Sequence, residues 1–177
     1  MLLLEYRRLP ISGGRPSRAL QSEEGICLLR DMLTAAGLPH PPIERDEAGR
    51  PFFGGCDDMD FSIAHTDTLV ACAILLQPHA RVGVDAEPIT HSPARVARIS
   101  RGFFSIAEQQ YLADATDPAR AFAEAFTRKE AYAKYCGDGL LRHIKEDTLS
   151  PDFAATRGVI FTACIAEGHC ITACRRA

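Results

Sequence analysis

Apolar and polar positions along the chain lay out a run of alternating strands and helices. Leu2 to Leu9 reads as a first strand, closed by Pro10 and the Ile11-Ser12-Gly13-Gly14 run. From Ser17 to Ala36 apolar residues, among them Leu20, Ile26 and Leu33, recur at roughly helical spacing, and Gly37 with Pro39 ends the helix. Pro39 to Asp60 is rich in proline and glycine and is expected to be mostly loop. Phe61 to His65 and Leu69 to Leu76 flank Thr66-Asp67-Thr68 as a hairpin, and Arg81 to Glu87 is a further strand stopped by Pro88.

Ile89 to Phe104 reads as a basic connector. Ser105 caps the next helix, with Glu108 completing a capping box. Asp117-Pro118 opens a longer helix to Tyr135, ended by Cys136-Gly137-Asp138-Gly139. Val159 to Ile165 and His169 to Cys174 form a closing hairpin around Glu167-Gly168. Each half thus has a long helix and then an Ala- and Cys-bearing hairpin. The expected fold class is α+β, with two similar halves, 1–88 and 89–177, in a pseudo-twofold arrangement. Each half has an antiparallel sheet and one long helix, with a ligand cleft between them.

Composition narrows the function. The chain is 46% hydrophobic and 24% charged, with a net charge of −3, which argues against a general affinity for nucleic acid or anionic membrane. Met1-Leu2-Leu3-Leu4 meets Glu5, Arg7 and Arg8 at once, so no signal-peptide core is expected. No apolar run approaches the ~20 residues a membrane span needs. The seven cysteines are odd in number, lie in apolar segments and form no CxxC pair. They read as reduced core residues of a cytoplasmic protein, in preference to a zinc site at His169, Cys170 and Cys174.

Three constellations carry candidate chemistry. In Val82-Gly83-Val84-Asp85-Ala86-Glu87 the two carboxylates share one strand face about 7 Å apart. Such a pair repels and is costly to desolvate without a cation, so a divalent-metal site competes with a plain solvated strand end. In Phe126-Thr127-Arg128-Lys129-Glu130-Ala131-Tyr132-Ala133-Lys134, Glu130 and Lys134 lie one turn apart. A surface ion pair is the simple reading. The apolar surroundings suit a buried carboxylate and a phosphate-neutralising lysine better. In Phe61-Ser62-Ile63-Ala64-His65-Thr66, His65 ends a strand beside hydroxyl groups, where it can contact a phosphate or serve structure alone. No Walker loop, dinucleotide-binding glycine motif, Gly-x-Ser-x-Gly elbow or HExxH occurs.

In this order, with Gly49-Arg50-Pro51, Phe103-Phe104-Ser105-Ile106-Ala107-Glu108 and Gly137-Asp138-Gly139-Leu140, the motifs resemble the Sfp-type 4′-phosphopantetheinyl transferases. The resemblance covers nearly the whole chain. It implies Mg²⁺-dependent transfer of 4′-phosphopantetheine from coenzyme A to a serine of an acyl or peptidyl apo-carrier protein, with release of 3′,5′-ADP. Carried over, the metal ligands are Asp85, Glu87 and Glu130, and the catalytic residues are Glu130 as base and Lys134 facing the leaving phosphate. His65, Thr66, Arg50 and Lys129 help hold coenzyme A. Arg15 and Arg18 stand in for an arginine that relatives place in the first helix to hold the 3′-phosphate. Phe126 replaces the usual tryptophan.

Two rival readings use the same residues: a Mg²⁺-dependent nucleotide pyrophosphate hydrolase, and an inactive carrier- or coenzyme A-binding module. The partner expectation rests on charge. Pro88 to Ala107 holds no acidic residue, whereas Arg95, Arg98 and Arg101 recur every third position. An acidic carrier is expected to dock there on a monomer, with Val96, Ile99 and Phe103 adding apolar contact.

Overall fold

Two three-stranded antiparallel sheets organise the chain in a computed structural model that describes residues 1–10 and 14–177. Positions 11–13 of the first linker lie outside the described residues. In the first sheet β1 (Leu2–Arg8) pairs with β5 (Leu69–Leu76), which pairs in turn with β4 (Met59–His65). In the second, β6 (Val82–Pro88) pairs with β8 (His169–Arg176), and β8 with β7 (Val159–Ala166). Both sheets therefore share one connectivity: an opening strand, a helical segment, then a hairpin whose last strand returns beside the opening one. Val82 through Pro88 is hydrogen-bonded register for register with Arg175 through His169, so β6 opens the second sheet.

Alternation along β5 explains how the layers stack. Val70, Cys72 and Ile74 face helix α1 (Arg18–Ala35), meeting Leu28, Leu29, Met32 and Leu33. Leu69, Ala71, Ala73 and Leu75 face the other way, onto Val82, Val84 and Ala86 of β6 and Ile171 and Ala173 of β8. Small alanines there let the sheets approach closely. The strand edge of β6 turned toward β4 has no strand partner among the described residues, and β4 supplies side chains instead. Val82 N donates to Asp60 Oδ2 at 2.8 Å and Val84 N to Ser62 Oγ at 3.0 Å. Buried backbone donors are thus satisfied across the junction of the halves.

Ser17 Oγ accepts from Leu20 N and starts α1, as expected of an N-cap. The capping box at Ser105 opens α3 (Ile106–Asp114), and α4 (Pro118–Cys136) starts at Asp117-Pro118 and stops at Gly137, φ 80°. The basic connector is instead a helix, α2 (Pro93–Phe103), N-capped by Ser92 with Pro93 in its first turn. Its Val96 is buried, and Ile99 and Phe103 pack on Phe104, Phe122 and Phe126. Val96 is thus spent on the core, whereas Ile99 and Phe103 stay half-buried at its edge. The stretch expected to be loop carries a short hairpin, β2 (Ile43–Arg45) with β3 (Pro51–Phe53), and α5 (Leu140–His143) and α6 (Phe153–Arg157) follow α4. All seven cysteines are free; Cys72, Cys170 and Cys174 are buried in the core, whereas Cys27 and Cys164 are exposed, unlike the core placement expected for them.

Candidate active site

Gly83 decides how close α4 comes to β6. A Cβ there would run into the Ala131 carbonyl and the Tyr135 amide of α4, so only glycine fits. Two residues on, Asp85 projects from the same strand face and meets the side chains of that helix. Lys134 Nζ donates to Asp85 Oδ1 at 2.8 Å and to the Val84 carbonyl at 2.9 Å. One turn back on α4 stands Glu130. Beyond Asp85 on β6, Glu87 pairs with the His91 imidazole.

The electrostatics follow from three carboxylates in partly dry surroundings. Burial and the neighbouring charges of Asp85 and Glu87, partly offset by Lys134, push Glu130 up to about 7. Burial raises Asp85, and Lys134 opposes that shift. Burial raises Glu87 too, against the His91 hydrogen bond. His65, exposed at the end of β4, is lowered by desolvation and by the Lys134 charge. The three carboxylates feel one another, yet their oxygens do not all lie within 4.8 Å. Lys134 draws Asp85 away and His91 draws Glu87. The oxygen-only donor set suits a hard cation such as Mg²⁺, and mutual repulsion gives such a cation something to relieve.

A cavity opens on each side of this centre. The larger, about 1160 Å³, lies where the two hairpin turns meet the end of β6. Its walls include Arg15, Arg18 and Gln21 from the start of α1, His65 and Thr66 from the first turn, and Glu87 and Arg95 beyond. The turns are tied together: His169 donates from Nδ1 to Glu167 O at 2.8 Å, which leaves Nε2 to accept from Thr68 Oγ1 at 3.0 Å. Gln21 Nε2 donates to the Thr66 carbonyl at 2.9 Å and fixes the rim from α1. The smaller cavity, about 530 Å³, is lined by Arg50, Ser62, Ile63, Glu130, Lys134 and the Gly137–Gly139 loop.

Comparison with known proteins now bears on the arrangement. A family model described as 4′-phosphopantetheinyl transferase superfamily matches residues 81–174, a span from β6 to β8 that takes in Asp85, Glu87, Glu130 and Lys134. The chain belongs to this superfamily. It is also similar to the 4′-phosphopantetheinyl transferase gsp of Aneurinibacillus migulanus, 32% identical over 127 residues. That match covers 69% of this chain and 50% of the relative, so the chain spans about half the relative's length.

Within this superfamily member, the residues expected to hold coenzyme A separate into two groups. Arg15, Arg18, His65 and Thr66 share the larger cavity. Arg15 is held at 2.9 Å by Asp67, while Arg18 makes no ion pair among the described residues. Arg50 lines the smaller cavity, but its Nη2 bonds Asp60 at 2.6 Å and the Val82 carbonyl at 3.3 Å, locking β4 to β6. Lys129 joins neither group. It points away from both cavities, its side chain fully buried, with Nζ 2.9 Å from Glu108 and donating to the Glu146 carbonyl. The Glu108 carboxylate also accepts from Ser105 N, Thr148 N and Thr148 Oγ1, so Lys129 completes a buried network rather than a ligand site.

The residue-level reading missed Gln21, Thr68, His91, Glu167 and His169 as cavity walls. Gln21, Glu167 and His169 lie far in sequence from the motifs, Thr68 and His91 just beyond them, and the meeting of both hairpin turns with the β6 end gathers all five.

Proposed function

We propose that the chain transfers the 4′-phosphopantetheine arm of coenzyme A to a serine of an apo-carrier protein. The observation that carries this reading is the meeting of Asp85, Glu130 and Lys134 between two cavities, in a chain of this superfamily. The larger, arginine- and histidine-lined cavity suits the phosphorylated nucleotide end. The smaller one suits the pantetheine arm.

The serine Oγ attacks the β-phosphorus of coenzyme A and forms a new O–P bond as the bond to the bridging oxygen breaks. The electron pair leaves with 3′,5′-ADP, and the serine proton passes to Glu130, directly or through a water. Without a cation Glu130 is held up to about 7; a bound cation would favour its ionised form, which can take that proton. Lys134 has an ammonium free to leave Asp85 for the leaving phosphate, where charge grows during the reaction. Asp85, Glu87 and Glu130 would hold Mg²⁺, which when bound supplies electrostatic stabilisation of the pyrophosphate charge.

The carrier side of the reading rests on α2. Arg95 and Arg98 are exposed along it, and Ile106, 88% exposed just beyond, adds an apolar contact beside the half-buried Phe103. The test is release of 3′,5′-ADP from coenzyme A with Mg²⁺ and an acidic apo-carrier. Release should stop with a chelator or with Asp85→Ala. Undiminished release in both would remove the metal-assisted reading.

A further inference from the structure

A second cluster of ligating side chains sits apart from the three carboxylates, where α4 ends. Cys136 Sγ, Asp138 and His143 present a sulfur, an oxygen and a nitrogen that all lie within 4.8 Å of one another. The loop between them is built to do so. Gly137 and Gly139 both take positive φ, 80° and 86°, and turn the chain so that Asp138 faces back toward His143. A Cβ at Gly137 would meet the Arg81 guanidinium, which donates to the Cys136 carbonyl at 3.1 Å and holds the helix end in place.

The histidine is oriented as metal-ligating histidines are. Its Nε2 faces Asp138 Oδ1 at 2.6 Å, and its Nδ1 faces Glu146 Oε1 at 2.9 Å. Glu146 is itself held by Arg157 at 3.0 Å. The Glu146 carboxylate on the far nitrogen orients the ring, and a cation entering between Nε2 and Asp138 Oδ1 would take the place of the proton those atoms share. The Tyr132 ring stands edge-on to the imidazole at 5.0 Å and sets its plane. These supports are independent of the cluster's own three ligand atoms.

We propose that Cys136, Asp138 and His143 bind a zinc-class divalent cation. A thiolate and an imidazole select a borderline-soft metal over Mg²⁺, and three protein ligands leave a fourth position for water. Binding needs the thiolate and an unprotonated Nε2, so protons pass to solvent as the ion enters. The cation would pin α5 to the end of α4, where the negative pole of the helix adds to its attraction. Gly137, Asp138 and Gly139 also wall the smaller cavity beside Glu130 and Lys134, so the ion would stiffen that wall.

Zn²⁺ and Co²⁺ are the probes, each added to the full chain with other metals removed. One equivalent of Zn²⁺ should bind and raise Tm, and Co²⁺ should give a thiolate-to-cobalt charge-transfer band. Cys136→Ser and His143→Asn should each abolish band and Tm shift. Glu146→Gln should weaken Zn²⁺ binding about 10- to 100-fold, as expected for the carboxylate behind a ligating histidine. Asp85→Ala should leave all of these signals intact, which separates this site from the proposed Mg²⁺ ligands. Should His143→Asn not fold, Cys136→Ser decides, since its hydroxyl preserves a hydrogen-bonding group beside Tyr132. A band that survives Cys136→Ser, or wild-type protein that binds no Zn²⁺, overturns the proposal.

Discussion

Lys134 and Asp85 hold each other across the contact between α4 and β6, Nζ to Oδ1 at 2.8 Å, with the Val84 carbonyl taking a second Nζ hydrogen bond. Lys134 opposes the upward shift that burial imposes on the Asp85 carboxyl. The pair also keeps an ammonium one helical turn from Glu130. Under the proposed reaction the lysine exchanges this partner for phosphate charge.

Lys134→Ala should therefore lower turnover by about 100-fold, since its stabilisation is felt on the developing charge of the leaving group. KM for coenzyme A should change much less. Steady-state kinetics separate the two. A loss confined to coenzyme A affinity would make Lys134 a ligand anchor instead.

Glu130 makes stability depend on pH in a defined direction. Its folded value of about 7 exceeds the roughly 4.3 of an unfolded glutamate. Between the two, the unfolded chain has already released the proton that the folded chain keeps. Metal-free stability is thus intact below the lower value and falls as pH rises through the window, by on the order of 3 kcal/mol. Glu130→Gln removes this dependence. Its Tm advantage over the wild type should be near zero at about pH 4 and grow to about pH 8. An advantage independent of pH would contradict a raised Glu130 carboxyl.

Lys129 and Glu108 provide the contrasting case of a charge pair that serves structure. Removing the ammonium leaves a carboxylate buried among Ser105 and Thr148 without its cation. Lys129→Met should cost about 3–5 kcal/mol in denaturant unfolding. The fraction still folded should bind coenzyme A as the wild type does. Unchanged stability with weakened coenzyme A binding would return Lys129 to the ligand site.

Much of this was legible in the residues because the decisive signals are local. Ser105 with Glu108, Asp117-Pro118 and the hairpin alternation each announce an element within a few positions. Ser92-Pro93 is a start signal of the same kind, followed by Val96, Ile99, Ser100 and Phe103 on one helical face, but three arginines mask the stripe. Strands β2 and β3 have three residues each, too few for alternation to show. Lys134 reaches Asp85 with Glu130 one turn back on α4, while Lys129, one position from Glu130, turns to the opposite side. Adjacent helix positions differ by about 100° in direction, so membership of a motif does not place a side chain in its site.

The arginines of α2 should act on the carrier alone. Arg95→Glu with Arg98→Glu should raise the KM for an acidic carrier several-fold at low salt and leave that for coenzyme A nearly unchanged. The defect should shrink as salt rises, because screening removes the attraction the wild type enjoys. Normal carrier kinetics at low ionic strength would make α2 an ordinary solvated helix.

The most direct test is the intact mass of acidic apo-carrier proteins after incubation with the chain, coenzyme A and Mg²⁺. The account predicts the gain of one phosphopantetheine on the carrier serine, matched by one 3′,5′-ADP, and no gain with a carrier whose serine is replaced by alanine. Cleavage of coenzyme A with the carrier mass unchanged would instead show transfer to water, and neither product across the carrier panel would contradict a transferase.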